Sequence, residues 1–366
     1  MKSARSVRIF TGISIATLAI SAISALAFGT VSASITKIDA FAGIDKRPDK
    51  KSSAINYLLV GSDTREGLTK TELKELRVGS VATAAGKRSD TMLLVHISKA
   101  RDKAVLVSIP RDTFALIPAH LNKTGKTVPA VHSKINSAFN WGGAPLLIQT
   151  IEEMTQLKID HYVEVNFAGF ASVIDSLGGI EVCTKKDIDD PKSHLVLPAG
   201  VHTLNGIEAL KYVRTREFDG MGDLGRMQRQ QAFMSSVLKK ATSAGVLLNP
   251  ITMTSFINSS LAAVTTDEGL KNSDLITLAK QMKSLATSNV RTLTVPLSDL
   301  NYYSNGVTAA VLWDSVLAPE LWDRLREDRA VVDEVTASPS PSSTKAAKVE
   351  IVDKFKTRTA DDNICR

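Results

Sequence analysis

An α/β fold is predicted by the order in which two periodicities occur along residues 55 to 329. Short apolar runs of strand length alternate with segments whose apolar residues recur at helical spacing, the pattern of a sheet layered with helices. The runs themselves, such as Ile55-Asn56-Tyr57-Leu58-Leu59-Val60 and Ala104 to Ile109, are nearly continuous in apolar residues, as in strands buried on both faces. The third observation lies ahead of them: no charged residue occurs between Arg8 and Lys37. The expected molecule is a single extracytoplasmic domain with a mixed central β-sheet covered by helices on both faces, preceded by one transmembrane helix.

Composition narrows the class. A chain of 366 residues has room for one large or two modest domains. With 43% hydrophobic and 23% charged residues it is not a wholly disordered chain, and 21 Gly and 12 Pro are too few for a collagen-like one. Two cysteines exclude a disulfide-dense scaffold and a four-thiolate zinc site. At the amino end, Lys2, Arg5 and Arg8 precede the apolar run and predict a cytoplasmic amino terminus with the rest of the chain exported. Val31-Ser32-Ala33 resembles a cleavage site, but the run exceeds the roughly 7–15 apolar residues of a cleaved signal, so an uncleaved anchor is expected.

The elements follow in order. Residues 1–8 read as a cytoplasmic basic segment, 9–36 as the anchor and 37–53 as a solvated tether carrying Lys46-Arg47-Pro48 and Lys50-Lys51. Strands are expected at Ile55 to Val60, Thr91 to Ile97, Ala104 to Ile109, Tyr162 to Phe167, Ile180 to Cys183 and Arg291 to Pro296. Helices are expected within Ser137 to Leu157, with Leu146, Leu147, Ile151 and Met154 on one face, and at Ala168 to Leu177, stopped by Gly178-Gly179. Further helices are expected at Leu204 to Val213, Leu224 to Ala241 and Ala318 to Arg329. Glu66 to Lys87 reads as an exposed insertion, and residues 331–366 as a Ser/Pro linker and polar tail after a domain spanning 54–330.

Chemistry is sought beyond the ends of strands, where open α/β sheets bind their ligands. Three such ends carry an acid and an arginine with small hydroxyl residues: Gly61-Ser62-Asp63-Thr64-Arg65, Arg88-Ser89-Asp90-Thr91 and Ile109-Pro110-Arg111-Asp112-Thr113. A second cluster reads Tyr212-Val213-Arg214-Thr215-Arg216 and Gly222-Asp223-Leu224-Gly225-Arg226, followed by Arg229-Gln230-Gln231. Arg226 and Gln230 share a helix face at i, i+4, with Arg226 near the helix start, where an anion is favoured. Planar guanidinium forks at this density suit a pyrophosphate, and two carboxylates beside its phosphates suit Mg2+. A solvated basic helix face is the plainer account of Arg229, and a structural role that of Arg65.

Taken together, these motifs resemble the LytR-CpsA-Psr family and point to an actinobacterial member. Lys134-Ile135-Asn136 with Gly142-Gly143, Asp160-His161-Tyr162 and Gly178-Gly179-Ile180-Glu181-Val182 extend the resemblance, which covers roughly residues 55 to 241 in the family's order. It implies a phosphotransferase that moves a glycopolymer from a polyprenyl-pyrophosphate carrier to a peptidoglycan hydroxyl, as a phosphodiester. By that pattern Asp63 and Asp90 hold Mg2+, with Mn2+ as a substitute. Arg88, Arg111, Arg214, Arg216, Arg226 and Gln230 hold the pyrophosphate, and Arg111, Arg214, Arg216 and Arg226 form the catalytic set. The implied partners are the lipid-linked polymer, peptidoglycan and membrane lipid, without nucleic acid.

Asp112 is weighed as a base and preferred as an ion-pair partner of Arg111. His132 and His161 lack metal-ligand spacing, and Trp141, Trp313 and Trp322 are assigned to core or interface. Cys183 and Cys365 are the only thiols, and in an exported chain they are expected to pair, against a buried Cys183 with a free Cys365. Two other classes stay open: a polyprenyl-pyrophosphate hydrolase or lipid-binding protein using the same site, and a membrane-associated transcriptional attenuator. The attenuator is disfavoured because the sequence shows no helix-turn-helix signal and the anchor places the arginine cluster on the wrong side of the membrane.

Overall fold

The computed structural model describes residues 35–336 and 349–359, apart from residues 66, 77–88, 123, 217–219, 221, 242, 248, 272, 275–276 and 278–286. Eight strands build the central sheet: β1 (Thr36–Ile38), β2 (Ile55–Ser62), β3 (Ser89–Ile97), β4 (Ala104–Ile109), β5 (His161–Val165), β6 (Val264–Asp267), β7 (Val290–Thr294) and β8 (Arg358–Thr359). Their order is β1-β6-β5-β2-β3-β4-β7-β8. The pairing is mixed: β1–β6, β5–β2 and β4–β7 are parallel, whereas β6–β5, β2–β3, β3–β4 and β7–β8 are antiparallel.

The near-continuous apolar strands have the physical cause expected of them. Val105, Val107 and Ile109 of β4 face a core with Leu58, Val60, Met92 and Leu94, closed by α2 (Asn136–Thr155) and α6 (Leu317–Arg326). The alternate residues face the other way, where Leu106 meets Leu238 of α5 (Gly222–Ala241) and Tyr57 and Ile97 meet Leu270. Both faces therefore exclude water, and alternation is lost because neither side rewards a polar residue. A further core joins α1 (Lys70–Leu76), α3 (Phe167–Ser176), α4 (Gly206–Arg214) and α5 to the hairpin of Ile180–Thr184 and Gly200–Leu204.

Local signals set the helix ends. Asn166 caps α3 by accepting from Gly169 N at 2.7 Å, and Gly178 and Gly179, both at positive φ, turn the chain into the next strand. Asn205 and Glu208 form a capping box on α4. A Cβ on Gly206 would meet Ala171 O at 2.4 Å, so only glycine lets α4 start this close to α3. Inside α2, Gly143 adopts φ 65° and kinks the helix two residues before Pro145. Beyond the kink Leu146, Leu147 and Ile151 are buried and Met154 half-buried, the face expected for them.

Three expectations need correction. The solvated tether of residues 37–53 is a strap laid on the domain: Thr36 opens β1, Ala40 is fully buried, and Arg47 forks onto Glu152 at 2.6 and 3.0 Å. Lys50 adds an ion pair with Asp160 at 2.6 Å. The insertion between the first two acid motifs contains α1, whose Leu76 is fully buried. The linker and tail contribute structure as well, since Asp333–Thr336 pairs with Val349–Val352 and β8 extends the central sheet. In each case a long-range partner captures a segment whose own composition is polar. The anchor expected at 9–36 lies outside the described residues as far as 34. Among the described residues no helix is long and apolar enough to cross a membrane.

Candidate active site

Strand polarity brings the sequence motifs to one end of the sheet. β2, β4, β5 and β7 finish there, and β3 begins there. β1 is parallel to β6, which is antiparallel to β5, so β1 also enters at this end, three strands or about 14 Å from β2.

The two acid motifs meet through a bulge. Gly61 pairs with Thr91 but Ser62 pairs with Ser89, so Asp90 is the extra residue between them. Asp63 follows Ser62 directly, which sets the two acid-bearing backbones side by side across β2 and β3. Gly61 leaves the bulge close-packed, since a Cβ there would stand a tight 3.3 Å from Thr91 Cβ. Ser62 and Thr64 hydroxyls are 2.8 Å apart, and Ser89 Oγ donates to Thr91 O at 3.1 Å. With the carboxylates of Asp63 and Asp90 these hydroxyls would offer oxygen donors only, the chemistry suited to a hard ion such as Mg2+, which takes one or two carboxylates and completes its shell from water and phosphate. Arg88 and the side chain of Asp90 lie outside the described residues.

Arg111 follows Pro110 at the end of β4, with its Nε 3.6 Å from Asp112 Oδ1. Lys134 Nζ stands 3.7 Å from the same oxygen. Asp112 is thus paired with cations on two sides, the role preferred for it over that of a base.

The second arginine cluster is built by α4 and α5 gripping one another. Arg214 ends α4 with its guanidinium carbon 5.4 Å from the ring centroid of Phe167, the first residue after β5 and its cap. Thr215 donates its hydroxyl back to Tyr212 O. Arg216 donates its backbone N–H to Asp190, whose other carboxylate oxygen accepts from Lys192 N and Ser193 N, both at 2.8 Å. From α5, Arg229 Nη2 donates to Thr215 O and Gln230 Nε2 to Val213 O at 3.0 Å. Gln231 Nε2 donates to Ser108 Oγ at 3.2 Å and Thr294 Oγ1 at 2.8 Å, which seats α5 on the ends of β4 and β7. Arg226 and Arg229 are only 3% and 8% exposed. One guanidinium nitrogen of each of Arg65, Arg111, Arg214, Arg226 and Arg229 is shielded from solvent. Burial pushes the Tyr212 phenol up, and the positive charge of Arg229 opposes that rise.

The solvated-face account of Arg229 is therefore wrong: it is buried and braces the loop that carries Arg214 and Arg216. Its position three residues after Arg226 already put it on the same helix face, a signal available in the sequence. Asp190 was missed altogether. Asp189-Asp190-Pro191 has the look of an ordinary turn, and only the fold brings it to Arg216. Gln230, expected at the pyrophosphate, spends one amide hydrogen on the end of α4 and keeps a second. Cys183 is disulfide-bonded; Cys365, the chain's other cysteine, lies outside the described residues. Of the residues set aside, His132 stacks on Phe114 and His161 stands 3.3 Å from Asp267. Trp322 is buried in the core, Trp313 lies against it, and Trp141 is exposed.

Fold and site together define a class: a mixed α/β protein with an arginine-rich, oxygen-lined site at one end of its sheet, suited to a multiply charged phosphate. Residues 26–325 match the LytR_cpsA_psr family, and the chain belongs to that family. A similar curated protein, a probable cell wall biosynthesis protein LcpB of Corynebacterium glutamicum, is 36% identical over 275 residues, 75% of this chain and 62% of its own length. The polyisoprenyl-teichoic acid–peptidoglycan teichoic acid transferase TagT of Bacillus subtilis is 35% identical over 204 residues, 54% of this chain and 56% of its own. The chain thus spans about three fifths of the length of these curated relatives. The crystal structure of B. subtilis TagT superposes with a TM-score of 0.55 at 27% identity, covering 81% of this chain and 99% of that one. TagT bound to LIIa-WTA gives 0.56 at 26%, covering 79% and 98%.

Proposed function

We propose that the chain is a cell-envelope phosphotransferase, moving a glycopolymer from a polyprenyl-pyrophosphate carrier to a hydroxyl of peptidoglycan or a related wall polymer. The observation that supports this most is the gathering of fixed guanidinium charge and two acid-bearing backbones at one end of the sheet. The names of its relatives, transferases of teichoic acid to peptidoglycan, agree with it.

In the reaction the acceptor oxygen attacks the phosphorus that carries the sugar. The bond from that phosphorus to the bridging oxygen breaks, polyprenyl phosphate leaves, and the hydroxyl proton is released. Negative charge grows on the bridging oxygen and its phosphate, so donors already held in place lower the barrier most. Arg88, Arg111, Arg214, Arg216 and Arg226 are assigned to the phosphate oxygens, and the second amide hydrogen of Gln230 is available to them. Asp112 keeps Arg111 aimed, while Asp190 and Arg229 hold the 214–216 loop. Asp63 and Asp90 would hold Mg2+, or Mn2+ in its place, and that ion supplies further neutralisation of the phosphates when bound.

We read the apolar run from residue 9 to about residue 34 as a membrane anchor with the domain outside, since Thr36 already belongs to β1. In support, β1 enters at the site end of the sheet, so the chain leaving the anchor would bring the arginines close to a carrier embedded in the bilayer.

The test is transfer in vitro from a lipid-linked glycopolymer to peptidoglycan with Mg2+. A phosphodiester-linked product is expected, lost on chelation and lowered at least about 100-fold by Arg216→Ala. Release of free polymer without transfer would favour the hydrolase instead. Transfer indifferent to Arg216→Ala would sink the site assignment.

A further inference from the structure

We propose that the outer face of the hairpin formed by Phe114–Ile117 and Val131–Lys134, with the neighbouring Tyr302 and Trp141, is the platform on which the acceptor's sugar chain docks. This rests on the transfer reading above and names the partner of its second substrate site.

The hairpin is the first structure the chain builds after Arg111 and Asp112. Its strands pair Phe114 with Lys134 and Leu116 with His132. Ala115 and Ile117 are buried, so Phe114, Leu116, His132 and Lys134 occupy the outer face. There Phe114 stacks on His132 with ring centroids 5.0 Å apart and an interplanar angle of 11°. Tyr302 meets the Phe114 ring edge-on at 5.1 Å. Tyr302 comes from the hairpin of Leu297–Ser304 and Val307–Trp313, which is clamped to the site loop where Trp313 Nε1 donates to Thr113 Oγ1 at 3.2 Å. A second stack follows on the next turn of the same excursion, His120 on Trp141 at 5.5 Å and 12°. Leu116, Leu121 and Trp141 are exposed beside these rings.

The chemistry of this surface selects its occupant. A pyranose has an apolar face of C–H groups and a rim of hydroxyls. It needs flat rings to lie on and polar groups at their edges, here the imidazoles, the Tyr302 hydroxyl and the Lys134 ammonium. A lipid tail would require an apolar enclosure, whereas this surface leaves Leu116 and Trp141 exposed and interleaves its half-buried rings with polar groups. Two ring-sized stacks joined by a few residues suit a polymer of repeating rings better than a single headgroup. Position agrees: Lys134 ties the hairpin to Asp112 at 3.7 Å, and Asp112 lies 3.6 Å from Arg111. A sugar hydroxyl held on the hairpin would thus approach the phosphates beside Arg111 without sharing the carrier's place.

The experiment uses the full chain with purified peptidoglycan glycan strands, comparing wild type with Tyr302→Ala, Trp141→Ala and the double variant. In transfer, each single change is expected to raise the KM for glycan strands about fivefold, leaving kcat and the KM for the carrier unchanged. Co-sedimentation with insoluble peptidoglycan should weaken in parallel. An unchanged acceptor KM, a raised carrier KM, or loss of binding to lipid vesicles in place of glycan would each overturn the platform, the last two by assigning the surface to lipid. Co-sedimentation needs no turnover and so separates the two claims. If wild type binds glycan through Tyr302 and Trp141 yet transfers nothing, the platform stands and the proposed reaction falls.

Discussion

At the scale of single residues, buried charges acting through backbone decide most. Asp190 is 1% exposed and serves three N–H groups, those of Lys192, Ser193 and Arg216. Asp190→Ala removes the acceptor of all three and leaves the buried Ser193 N–H without it, at about 1–3 kcal/mol for such a group. A lower urea midpoint is expected, together with a transfer rate that falls further than stability explains, because the backbone of Arg216 loses its anchor. Asp190→Asn should recover part of both, since an amide oxygen still accepts. His96, near the far end of β3 from the site, contributes a pH dependence of stability. Burial lowers its pKa below the ordinary 6.5, although the hydrogen bond and charge of Asp328 act the other way. The unfolded chain therefore takes up the proton first, and stability should fall as pH drops below about 6.5 towards the folded value. Thermal unfolding at pH 5 to 8 checks this, and a midpoint flat below pH 6.5 would contradict it.

Among the elements, the strap of residues 36–53 and the bulge between β2 and β3 carry the argument. Arg47 forks onto Glu152, whose side chain is 2% exposed and also accepts from Ile159 N at 2.7 Å. Arg47→Ala leaves a buried carboxylate without its main cation and should cost about 3 kcal/mol in a denaturant titration. Adding Glu152→Gln should return part of that loss, because the charge is then gone. An Arg47→Ala variant as stable as wild type would show that the strap is not held as described. Neither element was legible locally. Lys46-Arg47-Pro48 and Lys50-Lys51 have the composition of a solvated segment, and partners at Glu152 and Asp160 more than a hundred residues away override it. The helices were legible, since α3 and α4 are bounded by the cap and glycine signals that the sequence carries at Asn166, Gly178 and Asn205.

For the whole molecule, the edge strand β8 shows the chain returning to the central sheet near its carboxy-terminal end, and Cys183 is disulfide-bonded. A thiol count on denatured, unreduced protein should find no free thiol. If Cys365 is the partner, the closed loop is long, and reduction should lower stability by about 4–5 kcal/mol on the chain-entropy account. Two free thiols would remove that contribution.

The α/β class, the strands β2, β3, β4, β5 and β7, the helices α2 to α5 and the acid and arginine motifs were determined by the sequence alone, because apolar periodicity and turn chemistry are local properties of the chain. Only the tertiary structure decided that Asp63 and Asp90 meet at a bulge, that Arg229 is buried rather than solvated, and that Asp190 holds Arg216. Each of these depends on which distant strand or helix a segment pairs with. That choice is made by the burial of whole faces, which no short window of sequence contains.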